Sequence, residues 1–150
     1  MSISMRLIAI SSSGAPAENV SLPESAEEVC QAMAALYQTS GFSPPWIGYL
    51  GWKEGVVVGT CAFKSAPRGG EVEIAYFTFP EHEGRGIATE MARSLVAMAH
   101  EADPKLAVTA QTLPEENAST AILRKLDFEL LGTVRHPEDG PVWQWRLDAV

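Results

Sequence analysis

The residues from Glu71 to Glu101 change hydrophobic period once, across a glycine-containing turn, and that change narrows the fold sharply. Val72, Ile74 and Tyr76 alternate with Glu71, Glu73 and Ala75, the two-residue period of a strand. From Ile87 the period becomes helical: Ile87, Met91, Leu95 and Ala99 form one apolar stripe with Ala88, Ala92 and Val96 beside it. Thr89, Glu90, Arg93 and His100 lie largely off the stripe. Pro80 ends the strand and Glu81-His-Glu-Gly-Arg-Gly86 makes the turn. Ala102-Asp-Pro104 stops the helix, and Leu106 to Thr112 reads as the next strand. A strand–helix–strand crossover places its two strands parallel.

The turn carries the chemical clue. The first turn of a helix has backbone N–H groups with no intrahelical partner, and together they act as roughly half a positive charge. Gly84 and Gly86 lack a Cβ, so an anion can approach the main chain. Arg85 adds a cation, and a phosphate is the natural guest. Glycine spacing alone also fits a tight turn into a packed helix. A dinucleotide fingerprint would need Gly or Ala where Thr89 stands, and an acid at the end of the next strand, near Gln111 and Thr112. A Walker loop would need Gly-Lys-Ser/Thr, which the chain lacks.

The segment Glu83-Gly-Arg-Gly86-Ile-Ala88 resembles the acyl-CoA pyrophosphate loop of the GNAT superfamily of N-acyltransferases, usually Gln/Arg-x-x-Gly-x-Gly/Ala. Its last Gly and its Ala match, and Glu83 occupies the Gln/Arg position. Glu73-Ile-Ala-Tyr-Phe-Thr-Phe-Pro80 looks like the strand before that loop, especially in the branch of ribosomal-protein N-terminal acetyltransferases (RimJ/RimL-like). Asn117-Ala-Ser-Thr-Ala-Ile-Leu-Arg-Lys-Leu-Asp-Phe128 resembles the second signature of that branch, with Asp127 where Gly is usual. Two signatures in order, over about half the chain, are more specific than either alone.

Composition is consistent with such a domain. At 150 residues the chain is one domain, 1–150, long enough for a real core. With 46% apolar and 20% charged residues, disorder is not expected. A net charge of −8 argues against nucleic acid and suits either a cationic acceptor or plain acidic solubility. No apolar run reaches the roughly 18 residues of a membrane span, and the N-terminus lacks a signal-peptide pattern. Cytoplasmic localisation is therefore the default. Cys30 and Cys61 each sit in an apolar run without metal spacing, which reads as two buried thiols.

Along the chain, Arg6 to Ser11 reads as a first strand and Ser12 to Asn19 as loop. A helix begins near Pro23, with capping boxes possible at Ser21 or Ser25, and ends at Gly41. Phe42 and Trp46, in a loop with two prolines, either line an acceptor pocket or cover the core. Trp46 to Trp52 and Val56 to Lys64 form a hairpin about Lys53-Glu-Gly55, and Glu71 to Phe79 extends the meander. After the crossover come a helix from Pro114-Glu-Glu-Asn117 and closing strands Phe128 to Val134 and Val142 to Leu147. The order β-α-β-β-β-α-β-α-β-β is that of an α/β (α+β) domain. The resemblance implies a GNAT-like fold with a mixed, mostly antiparallel sheet, a splayed parallel strand pair and flanking helices.

It further implies an acetyl-CoA-dependent N-acetyltransferase acting on a primary amine, either a protein N-terminus or a small amine. Acetyl-CoA would be the co-substrate and no metal is required. The main chain of Gly84, Arg85, Gly86, Ile87 and Ala88 would hold the pyrophosphate, with the Thr89 hydroxyl and Asn117 assisting. Phe77, Thr78 and Phe79 would offer backbone groups to the pantetheine arm, and an N–H near Phe79 would polarise the thioester carbonyl. Glu73 is the first candidate for the base, acting through a water, against an exposed charge or an ion pair; Glu71 is a weaker one. Many family members place a proton-donating Tyr in the second signature; here alignment gives Leu123 or Arg124. Ser119 is the best local hydroxyl, or else a helix cap. The absent Tyr and Glu83 leave an alternative open, a non-catalytic acyl-CoA-binding sensor. Homodimerisation is common in such folds and nothing in the sequence specifies it.

Overall fold

Seven strands form one sheet in the order β1-β2-β3-β4-β5-β7-β6. The computed structural model describes residues 5–149. In chain order the elements are β1 (Arg6–Ala9), α1 (Glu24–Ser40), β2 (Gly48–Lys53), β3 (Val56–Phe63), β4 (Glu71–Thr78), α2 (Ile87–Ala102), β5 (Ala107–Thr112), α3 (Ala118–Lys125), β6 (Glu129–His136) and β7 (Gly140–Leu147). One 3-10 turn at Pro80–His82 precedes α2. The order is the one the periodicities predict, and β4 and β5 are the parallel pair in an otherwise antiparallel sheet.

Local chemistry accounts for the boundaries. Glu54 and Gly55 take positive φ values of 53° and 84° between β2 and β3, as a tight hairpin turn requires. Gly41, at φ 90°, ends α1 by donating its N–H to the Tyr37 carbonyl. The start of α1 differs from expectation: neither serine box forms, and Pro23 stands at the N-cap with no side-chain cap. The Pro23 carbonyl accepts from Ala26 and Glu27 instead. Glu24 and Glu27 complement the helix dipole in the first turn.

The two long helices cover opposite faces of the sheet. A Cβ on Gly48 would lie 2.7 Å from Met33 of α1, whereas one on Gly59 would lie 3.1 Å from Met91 of α2. Gly48 pairs with Ala62, and Gly59 is three residues from Ala62 along β3, so the two glycines face opposite ways. Met91 and Leu95 of α2 are fully buried, each contributing about 1.5–3 kcal/mol relative to exposure. Tyr37 ties α1 to the sheet, its hydroxyl donating to the Ile10 carbonyl and accepting from the Gly48 N–H. Phe42 packs edge-on against Tyr37 and Trp46 against Phe63, so these loop aromatics cover the core.

The parallel pair opens partway along its length. β4 and β5 are in register only from Glu71–Ala107 to Glu73–Thr109. Beyond that, β4 stays with β3 as far as Thr78, while β5 stays with β7 as far as Thr112. A gap therefore separates Ile74–Thr78 from Ala110–Thr112, and the turn into α2 stands at its wide end. No helix among the described residues is long and apolar enough to cross a membrane.

Candidate functional site

A cavity of about 490 Å³ lies at the wide end of the gap, lined by Tyr76, Phe77 and Thr78 of β4, by Glu83, Gly84, Gly86, Ile87, Ala88 and Thr89 of the turn and α2, and by Ala118, Ser119, Ala121 and Ile122 of α3. Its volume falls within the range of ligand sites. Most of the residues singled out in the sequence meet here. Gly84 and Gly86 have positive φ, 80° and 75°, and a Cβ on either would meet no protein atom within 4 Å. Crowding does not explain these glycines; the backbone conformation does, and the vacant space leaves the main chain open to a ligand.

The turn has the features of an anion cradle. Gly86 is the N-cap of α2 and no side chain caps the helix. The first helical hydrogen bond is that of the Glu90 N–H to the Gly86 carbonyl. The N–H groups of the first turn therefore face the cavity end with their partial positive charge. Glu83 is exposed and lines the same cavity. Arg85 does not: its side chain lines a neighbouring recess with Lys53 and His82.

Backbone direction in β4 corrects one expectation. The Phe79 N–H donates to the Val58 carbonyl at 3.0 Å, and the Glu73 carbonyl accepts from the Lys64 N–H at 2.9 Å. Alternate residues of an antiparallel strand turn both polar groups to the same neighbour. Glu73, Ala75, Phe77 and Phe79 therefore turn theirs toward β3, and Ile74, Tyr76 and Thr78 turn theirs toward the gap. Neither Phe77 nor Phe79 offers main-chain groups there. Phe79 is buried in the core, whereas the Phe77 ring is 55% exposed at the cavity edge. Thr78 becomes the donor aimed at the gap.

The second signature is also resolved residue by residue. Asn117 caps α3: its side chain accepts from the Thr120 N–H at 3.1 Å, and its own N–H donates to the Thr120 hydroxyl at 2.9 Å. Asn117 does not line the cavity, while Ser119, in the first turn of α3, does. Asp127 takes φ 69° just past the helix end, the left-handed position that glycine usually fills. Leu123 is fully buried and Arg124 lies over the Trp145 ring at 5.0 Å, so neither candidate position reaches the cavity. A hydrogen bond from Arg124 holds the Glu116 carboxyl below the usual range.

In the sequence Tyr76 reads only as an apolar strand residue. Its hydroxyl donates to the Ser119 carbonyl at 3.3 Å, linking β4 to α3 across the gap. Burial pushes its pKa up to about 12, so the hydroxyl is neutral at ordinary pH. The signal was available: a tyrosine in a buried row needs a partner for its polar tip. Glu73 points to the opposite face, where Lys64 pairs with it at 2.9 Å.

The comparisons agree with this geometry. A family model described as "Acetyltransferase (GNAT) domain" matches residues 9–129. A sequence comparison with curated proteins finds no match. Among solved structures, an acetyltransferase from Salmonella typhimurium that modifies the N-terminal serine of ribosomal protein L7/L12 aligns with a TM-score of 0.71 at 15% identity, covering 98% of this chain and 96% of that one. The ribosomal L7/L12 α-N-protein acetyltransferase RimL in complex with coenzyme A aligns at 0.67 and 18% identity, covering 86% and 74%. The microcin C7 self-immunity acetyltransferase MccE, in complex with acetyl-CoA and AMP, aligns at 0.66 and 13% identity, covering 83% and 70%.

Proposed function

This chain belongs to the acetyltransferase (GNAT) domain family, and we propose that it transfers the acetyl group of acetyl-CoA to a primary amine by direct attack on the thioester. The observation that carries the reading is the β4–β5 gap opening onto the uncapped start of α2. The turn Gly84–Ala88 and the first-turn N–H groups suit the pyrophosphate. The gap-facing backbone of Tyr76 and Thr78 suits the pantetheine arm, whose amides need strand-like partners. That a solved structure of the same fold holds coenzyme A supports this assignment.

Thr78 takes over the role expected of Phe79. Its N–H faces the gap and would stabilise the oxyanion that develops when the amine attacks. Glu73, on the other face of β4, accepts the proton from the amine through a water. The carbon–sulfur bond then breaks and the thiolate takes a proton from solvent, which a thiol pKa near 8.5 allows. An amine acceptor meets the need of the attacking atom for a lone pair and a removable proton. Relatives named for an N-terminal serine support an α-amine.

Replacing Gly86 tests the site. Gly86→Glu would add a carboxylate and a Cβ at φ 75°, in the space beside the proposed pyrophosphate. Calorimetric titration should show acetyl-CoA affinity reduced by more than about tenfold, an effect of at least about 1.4 kcal/mol. Unchanged affinity in a folded variant would remove the pyrophosphate assignment.

A further inference from the structure

On the α1 face of the sheet, a second recess of about 130 Å³ lies beside the cofactor cavity. Val29 and Met33 of α1, Thr60 and Ala62 of β3, and Ala75 and Phe77 of β4 line it. Phe77 and Tyr76 line both spaces, so the two meet at β4. From this arrangement we infer that the acceptor is an amine whose adjacent carbon bears a compact apolar branch, and that the branch seats in this recess. The inference rests on the acetyltransferase reading and deepens it by naming the acceptor class.

Chemistry, size and position each support the assignment. No charged side chain lines the recess, so a polyamine or guanidinium placed there would leave its charge unpaired, which burial penalises heavily. Its volume is close to the roughly 150 Å³ of an apolar cavity that accepts benzene, and below the roughly 300 Å³ at which sites for whole ligands begin. It holds a branch, and the remainder of the acceptor stays outside. The exposed Phe77 ring stands at the junction, where an apolar branch would cover it.

Glu73, Ala75 and Phe77 share one face of β4. Same-face neighbours are separated by about 6.6–6.8 Å along a strand. A branch against Ala75 therefore puts the attached amine on the strand face that carries Glu73, one same-face position along β4. Ala62 and Ala75 are direct partners in the β3–β4 register. Their small size keeps the recess open, and a larger side chain at either position would fill it.

Amino-acid amides are minimal probes of this inference. Leucinamide, methioninamide, serinamide, glycinamide and lysinamide would be compared as acceptors by kcat/KM. In parallel, the Met33 methyl NMR signal of the protein–CoA complex would be followed as each amide is added. The inference predicts that leucinamide and methioninamide exceed glycinamide by at least about tenfold, the scale of discrimination by apolar pockets. Leucinamide should shift the Met33 methyl and glycinamide should not. Ala75→Leu should abolish both the preference and the shift, with acetyl-CoA affinity within about twofold of the original as proof of folding. Ala62→Val is the milder substitute if that variant fails to fold. Equal use of all the amides, a preference for lysinamide, or a Met33 signal that leucinamide leaves unmoved would overturn the inference and leave the acetyltransferase reading intact. Failure to bind acetyl-CoA at all would instead overturn that reading, and this inference with it.

Discussion

Tyr76 has a ring that belongs to the core and a hydroxyl that needs a partner, which it finds in the Ser119 carbonyl. Burial raises its pKa to about 12, and Tyr49, also mainly by burial, is raised to about 12. A folded-state pKa above the unfolded value near 10 means that the unfolded chain releases these protons first. Their contribution to stability is complete below about pH 10 and is lost as pH climbs toward 12. Ultraviolet titration should therefore find little tyrosinate in the native protein at pH 10, with ionisation and unfolding coming together above it. Half-ionised tyrosines in the native protein at pH 10 would contradict the burial assigned here. For Glu73, we predict that Glu73→Gln lowers kcat by about 10²-fold or more while acetyl-CoA affinity stays unchanged. Loss of its half-exposed pair with Lys64 should change stability by no more than about 1 kcal/mol. Undiminished kcat would make Glu73 an ion-pair residue only.

At the scale of elements, the strand–turn–helix unit from β4 to α2 was readable because its period changes at the glycines. The parallel crossover followed from chirality and connectivity. The splay was not readable from the residues themselves. It arises because β5 follows β7 and β4 follows β3, a competition between non-local pairings that the family resemblance alone anticipated. The direction of the Phe79 N–H was lost for the same reason, since which side of a strand a main-chain group faces depends on its register. The second signature turned out to be two helix ends. Asn117 opens α3 with a reciprocal cap and Asp127 follows it in a left-handed conformation. Asn117→Ala should cost about 1 kcal/mol in denaturant unfolding and leave the acetyl-CoA dissociation constant unchanged. A large loss of affinity with little loss of stability would restore the ligand-binding role that the sequence suggested.

Across the whole molecule, the sheet separates two tasks. The α2 and α3 side carries the cavity suited to a long anionic thioester, and the α1 side carries Glu73 and the apolar recess. The reacting atoms would meet where β4 has lost its partner. The acidic net charge, −8 overall, adds nothing specific to this arrangement. The central claim is that the gap and turn bind acetyl-CoA selectively. A thermal unfolding series with acetyl-CoA, NAD and ATP tests it most directly. At about 100 times its dissociation constant, acetyl-CoA should stabilise the fold by roughly 2.7 kcal/mol, a rise in Tm of about 5–11 °C for a domain of this size. NAD and ATP should give much less. No shift with acetyl-CoA up to millimolar concentration, or a larger shift with either nucleotide, would contradict the account.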